Sequence, residues 1–225
     1  MCSLYRTVGS STMRGVLLVC ASVSIMGISY GLAAHTAGIP LWANLLLAVF
    51  VLAGSSEFLF VAAVGAGVPP ILAALTSALV NTRCFVFGFS IASFLKQGRS
   101  LWMAGHLIND EAVALALVEG KRDRKRLLYW VTGVGILVSW PIGAAVGGML
   151  GGVIPDPAAL GVDAVLPAVL IAIAYPAMKD RWTAGVVMAG AVLAVAATPV
   201  VPVGVGPVVA LAALPLVLLR KKELT

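Results

Sequence analysis

The sequence predicts an all-α, polytopic helical membrane protein, with one integral membrane domain over residues 1–225, on three observations. Hydrophobic residues fill 61% of its 225 positions and charged residues only 11%, against about 25% charged in an average soluble domain. The apolar residues run in long stretches, and almost every charge falls between them. That length leaves room for roughly seven or eight crossings of about 20 residues and little else.

The net charge of +6 implies no nucleic-acid partner. The basic residues form short clusters between apolar segments, as in cytoplasmic loops that follow the positive-inside rule. The strongest cluster, Lys121–Arg126, reads as a solvated cytoplasmic loop within reach of anionic membrane lipid. Cys2, Cys20 and Cys84 are far apart in sequence. They read as free thiols that pack as small apolar residues, with no disulfide, metal or cofactor implied.

Taken in order, Met1–Arg14 is a polar lead. Gly15–Ala34 is too long for a signal-peptide core of about 7–15 residues and reads as the first span. Its Gly27 and Gly31 form a small-xxx-small pair that permits close helix approach. Leu41–Gly67 reads as span two, with Gly54-Ser55-Ser56 at its centre as the place to unwind or kink, followed at once by Glu57.

Pro69-Pro70 turns the chain into Ile71–Leu95, the segment on which the reading rests, because Arg83 sits at its midpoint. A helix of that length rises about 37 Å, enough to cross a hydrocarbon core of about 30 Å. An arginine at such a centre costs roughly 2.5–3.5 kcal/mol on insertion scales, so it is expected to face protein or a wet cavity and to have a partner. Thr76, Arg83 and Ser90 recur every seven residues and form one polar stripe. Asn81 lies about 200° from Arg83, so either the helix turns two faces to protein or it unwinds at Asn81-Thr82-Arg83.

After a short basic loop, Lys96–Ser100, the segment Leu101–Glu119 contains His106, Asn109, Asp110 and Glu111, with His106 and Asp110 on one face at i,i+4. It is the least hydrophobic of the long segments and either spans or re-enters. Leu127–Leu150 reads as a span broken by Pro141, with glycines at 143, 147 and 151. A loop, Gly152–Asp163, precedes three more apolar segments, Ala164–Met178, Thr183–Val200 and Gly204–Leu219.

Charge counting leaves topology open. If Leu101–Glu119 spans, there are eight spans with both termini inside, and 12 basic residues lie inside with Lys96 and Arg99 outside. If it re-enters, seven spans give the same totals with Arg6 and Arg14 outside. The glycine pairs of the first span and of the Leu127 span, each followed by Ile-Pro, hint at a weak internal repeat. Seven spans make it inverted and eight make it parallel.

Glu57, Asp110 and Glu111 sit at similar depth to Arg83 and are its candidate partners. Opposite charges beside a broken helix suit an amino-acid pathway. Arg83, or the helix N-terminus after Ser56, meets the substrate carboxylate, and Glu57 or Asp110 meets its ammonium. Phe58, Phe60, Phe85 and Phe87 are candidates for an apolar side-chain pocket. Burial disfavours a charged carboxylate and Arg83 favours it, so Glu57 or Asp110 is placed to load and release a proton, against the alternative of a static ion pair that orients helices. An intramembrane enzyme is the rival from another class, with an ion channel third. The chain has only His35 and His106 and lacks HExxH and G-x-S-x-G, so no enzyme is expected.

Several pieces, Gly54-Ser-Ser-Glu-Phe58, Asn81-Thr-Arg83, Asp110-Glu111, Ile154-Pro-Asp-Pro157 and Leu160-Gly-Val-Asp163, resemble in order and spacing the AzlC family, the large subunit of bacterial branched-chain amino-acid exporters. The resemblance covers about Gly15–Arg181. It implies export of valine, leucine and isoleucine across the bacterial inner membrane by a multi-pass permease, together with a small AzlD-like membrane subunit. Glu57 stands where that family more often has glutamine, and Cys84 follows Arg83 where histidine is common. Both departures bear on substrate identity.

Overall fold

The computed structural model describes residues 10–95, 98, 100–153, 175, 178, 180–201, 209–213 and 215. Its α-helices are α1 Ser10–Thr36, α2 Leu41–Phe50, α3 Gly54–Gly65, α4 Pro70–Asn81, α5 Arg83–Ala92, α6 Ser100–His106, α7 Asp110–Val118, α8 Arg122–Gly151 and α9 Arg181–Ala197. No strand occurs among the described residues. Among the described residues, three helical stretches are long and apolar enough to cross a membrane: Thr12–Thr36, Pro70–Ala92 and Arg122–Gly151. Much of their surface remains exposed and apolar, as at Leu18, Ile71, Phe85, Phe89 and Val138.

The glycines decide how α1 and α8 pack. A Cβ on Gly27 would lie 2.8 Å from the Trp140 carbonyl oxygen, and Gly31 meets the backbones of Ala144 and Gly148. From the other side, Gly143 and Gly147 meet the carbonyls of Ser24 and Ile28. Without side chains between them the backbones touch, as small residues allow in membranes. Cys20 lies at Gly135, Gly27 at Gly143 and His35 at Gly151. The numbers rise together, so α1 and α8 run parallel. The glycine pairs thus serve one helix–helix seam, and Ile154-Pro155 lies outside the described residues.

The stretch expected as span two is instead a folded-back pair. Leu41 packs on Gly148, and the Asn44 Nδ2 donates to the Ala144 carbonyl at 3.4 Å, so α2 enters from the end where α1 finishes and runs against α8. The return leg α3 runs with α1: the Phe58 ring stands edge-on to Tyr30 with centroids 5.5 Å apart, and a Cβ on Gly65 would lie 3.2 Å from that of Ala37. The turn is at 51–53, just before the expected Gly54-Ser55-Ser56. Leu52 there adopts φ +48°, a conformation that costs about 1–2 kcal/mol and is pinned by burial of its side chain in the core.

The chain then crosses in the other direction. Pro70 starts beside Gly38, at the far end of α1. Just past α5, Phe94 stands edge-on to Tyr129 near the beginning of α8. Between α4 and α5 the helix tightens without unwinding: Thr82 keeps helical dihedrals, its N–H donates to the Leu79 carbonyl at 3.2 Å, and its own carbonyl accepts from Phe85 at 3.0 Å. Asn81 and Arg83 therefore face different parts of the protein.

A second folded-back pair, α6 and α7, is bent by 112°. The Tyr129 hydroxyl donates to the Ala104 carbonyl, and Leu107 abuts Gly133, so α6 advances alongside α8. Returning, α7 packs Ala112, Val113 and Ala116 around Tyr129 and reaches Leu128 and Val16 with Leu115. The expected pairing of His106 with Asp110 on one helical face is lost, because the bend at 107–109 separates them. Two more expectations are corrected on α8. Pro141 does not break it, since a membrane helix packed along its glycine face tolerates one missing hydrogen bond. Lys121–Arg126 is not a loop: helix begins at Arg122, and the Lys125 N–H already donates to the Lys121 carbonyl at 3.0 Å, as good helix formers allow.

The order long helix, folded-back pair occurs twice, over 10–65 and 70–118, with the pairs entering from opposite ends. Of the later segments, Thr183–Val200 overlaps α9, which begins two residues earlier at Arg181. Most of Ala164–Met178 and Gly204–Leu219 lies outside the described residues.

Candidate functional site

The two turned-back tips meet near the middle of α8. Both return legs begin there, α3 at Gly54 and α7 at Asp110, and α5 begins beside them at Arg83. The starts of the two return legs, α3 and α7, leave backbone N–H groups without an intrahelical acceptor, so their N-termini carry partial positive charge toward a shared cavity. Its polar lining is Ser55, Arg83, Asn109, Asp110 and Glu111, and its apolar wall includes Val23, Met26, Ile108, Ile136 and Trp140. The cavity holds about 50 Å³, space for a few waters.

Arg83 Nη2 pairs with Asp110 Oδ2 at 2.7 Å, with the two side chains 26% and 42% exposed. The Arg83 Nε is buried without a hydrogen-bond partner. Glu111 lines the cavity beside the pair. Asn109 builds this tip by capping α7: its Oδ1 accepts from the Ala112 N–H at 2.8 Å, and its Nδ2 donates to the Leu107 carbonyl at 3.1 Å. Ser55, buried at 5% exposure, has an Oγ without a partner.

Glu57 does not reach Arg83. Its Oε1 accepts from the Ala53 N–H at 2.8 Å and its Oε2 from the Trp140 Nε1–H at 3.1 Å, so it fastens the α3 tip to α8. Tyr30 stacks on Trp140 with ring centroids 5.2 Å apart, and its hydroxyl lies against the same carboxylate without closing a well-aligned hydrogen bond. Ser56 donates to the Ala53 carbonyl at 3.0 Å. With Glu57, Ser77 and Asn81 it borders a second cavity of about 220 Å³ between α2, α3 and α4. Asn81 also accepts from Cys84 Sγ at 3.3 Å.

The expected phenylalanine pocket does not form. Phe58 is packed against Tyr30 and Trp140, Phe85 is 76% exposed on the outer surface, Phe87 packs near Tyr129, and Phe60 borders the second cavity. Sequence reasoning missed Asn109, Trp140 and Tyr30. An asparagine directly before Asp-Glu is a helix-start signal and marked the first. Nothing local marked the aromatic pair. Among the described residues no cluster of three or more His, Cys, Asp or Glu has a metal-binding arrangement.

Residues 18–154, more than half of the chain, match the family described as AzlC protein. The chain belongs to the AzlC family. A relative from Haemophilus influenzae, described as an uncharacterized membrane protein, is 26% identical to this AzlC chain over 140 residues, covering 60% of the chain and 57% of the relative's own length. No solved structure matches the chain. The matched region takes in both folded-back pairs and α8, so the site lies inside the part that defines the family. This AzlC protein is a membrane protein with several apolar helices.

Proposed function

We propose that this chain is the large subunit of a two-component secondary transporter that exports valine, leucine and isoleucine across the bacterial inner membrane, with proton coupling and no enzymatic step. The observation that carries the reading is the Arg83–Asp110 pair at the meeting of two turned-back tips, bordered by aliphatic side chains. A zwitterion with a branched apolar side chain needs one positive seat, one negative seat and an apolar wall, and the cavity supplies all three. Broken helices that meet at mid-depth from opposite faces are also how many secondary transporters hold substrate.

Proton coupling falls to Asp110, which borders the cavity beside Arg83, in place of Glu57, which is occupied in fastening α3. The exposed apolar outer surface suits lipid and a small AzlD-like subunit. The positive-inside rule supports an orientation as well. With two folded-back pairs, the three described crossings and the three expected from the C-terminal sequence make six. Of the 15 Lys and Arg residues, all 14 other than Arg83 then fall on the side where α1 begins. That side is the cytoplasm, and six crossings replace the expected seven or eight. Labelled-leucine efflux from cells producing the chain with and without a small apolar partner tests the function. Efflux that needs both supports it, and leucine retention identical to that of empty cells rejects it.

A further inference from the structure

The two tips that form the cavity are electrically unequal. At the start of α7, Asp110 and Glu111 bring two carboxylates to the first turn, and Asn109 already accepts from the Ala112 N–H. At the start of α3 the one first-turn acid, Glu57, is turned away onto Ala53 and Trp140. The Gly54 and Ser55 amides occupy helix positions that have no intrahelical acceptor. Beside them are the unpartnered Ser55 Oγ, on a side chain 5% exposed, and the unpartnered Nε of Arg83. Four donors thus surround the α3 tip, and two acids surround the α7 tip.

We propose that an α-amino acid binds here in one fixed orientation. Its carboxylate lies on the α3 tip, against Ser55 and Arg83, its ammonium lies against Asp110 and Glu111 at the α7 tip, and its aliphatic side chain lies toward Val23, Met26, Ile108 and Ile136. This rests on the transport reading of the same site and adds the orientation.

The Arg83–Asp110 pair closes the site when it is empty. A zwitterion brings a charge of each sign, so it inserts between the partners and gives each a new counter-ion, leaving no buried charge unpaired. A ligand with only one of its charges strands the other protein partner, and that penalty rejects it. At about 50 Å³ the closed cavity is too small for leucine, so entry requires the tips to move apart. A site whose walls are two folded-back pairs entering from opposite faces can open toward either one.

The test is displacement of labelled leucine from the purified full chain with its small partner, using leucine, leucinamide, which lacks the carboxylate, and 4-methylpentanoate, which lacks the ammonium. Wild type is expected to bind leucine at least tenfold more tightly than either analogue. Ser55→Ala is expected to weaken leucine and 4-methylpentanoate about tenfold, since a hydrogen bond to a charged group is lost, and to leave leucinamide unchanged. Asp110→Asn is expected to weaken leucine and leucinamide and to spare 4-methylpentanoate, with Arg83→Lys as a second probe of the carboxylate side and thermal unfolding as the folding control. If folded Ser55→Ala and Arg83→Lys proteins transport leucine and weaken all three ligands equally, or none, the orientation is wrong and the transport reading stands. If wild type neither binds nor moves leucine, both fall.

Discussion

Arg83 stays at mid-depth because Asp110 meets it at 2.7 Å. Removing one member of such a pair strands the other, with a penalty of about 3–5 kcal/mol when buried; these side chains are partly exposed, so a smaller loss of stability is expected for Asp110→Asn. Its larger effect belongs to coupling: at saturating leucine, which offsets the weakened binding, exchange persists while pH-gradient-driven accumulation disappears, as proteoliposome flux with and without an imposed gradient will read. Glu57 shows where residue-level reading stops. Its depth and charge were legible, but not the Ala53 N–H four residues before it or the Trp140 indole that only the fold supplies. Glu57→Gln keeps an acceptor for Ala53 and sets an amide N–H against the indole N–H, so a loss of roughly 1–3 kcal/mol is expected by thermal unfolding, with the leucine analogue preference intact.

Helices were legible where composition alone decides them and illegible where direction decides. Hydropathy adds transfer free energies along the chain and carries no sign for up or down, so Leu41–Gly67 reads as one crossing although Leu52 turns it back. The glycine-serine cluster marked the break to within a few residues, and the polar start of α7 marked the second. The α1–α8 seam was legible as small-residue spacing, and the structure adds that the two stripes meet each other. Gly31→Ala drives a methyl into the Ala144 carbonyl; overpacking of that kind costs typically 1–3 kcal/mol, measurable as a lower unfolding temperature. Asn109→Ala removes the α7 cap and is expected to cost about 1 kcal/mol and to weaken leucine binding by displacing Asp110.

Over the whole molecule, the two folded-back pairs turn an undecided charge count into a one-sided one. Single-cysteine labelling with a membrane-impermeant reagent in a Cys-free background checks this. Arg99→Cys should react only in inverted vesicles, and Gly38→Cys only from outside the cell. Reaction of both positions from the same side would return Leu41–Gly67 to a full crossing, and a complete reversal would invert the orientation. The repeat visible in the fold, a long helix followed by a folded-back pair, escaped the sequence because its halves share geometry and little residue identity.

The decisive measurement is exchange of labelled leucine in proteoliposomes holding the chain with its small partner, wild type against Arg83→Gln. If the meeting of the two tips is where substrate sits, the folded variant loses exchange by at least a hundredfold while keeping its unfolding temperature within a few degrees. Exchange at the wild-type rate in folded Arg83→Gln would place the pathway elsewhere.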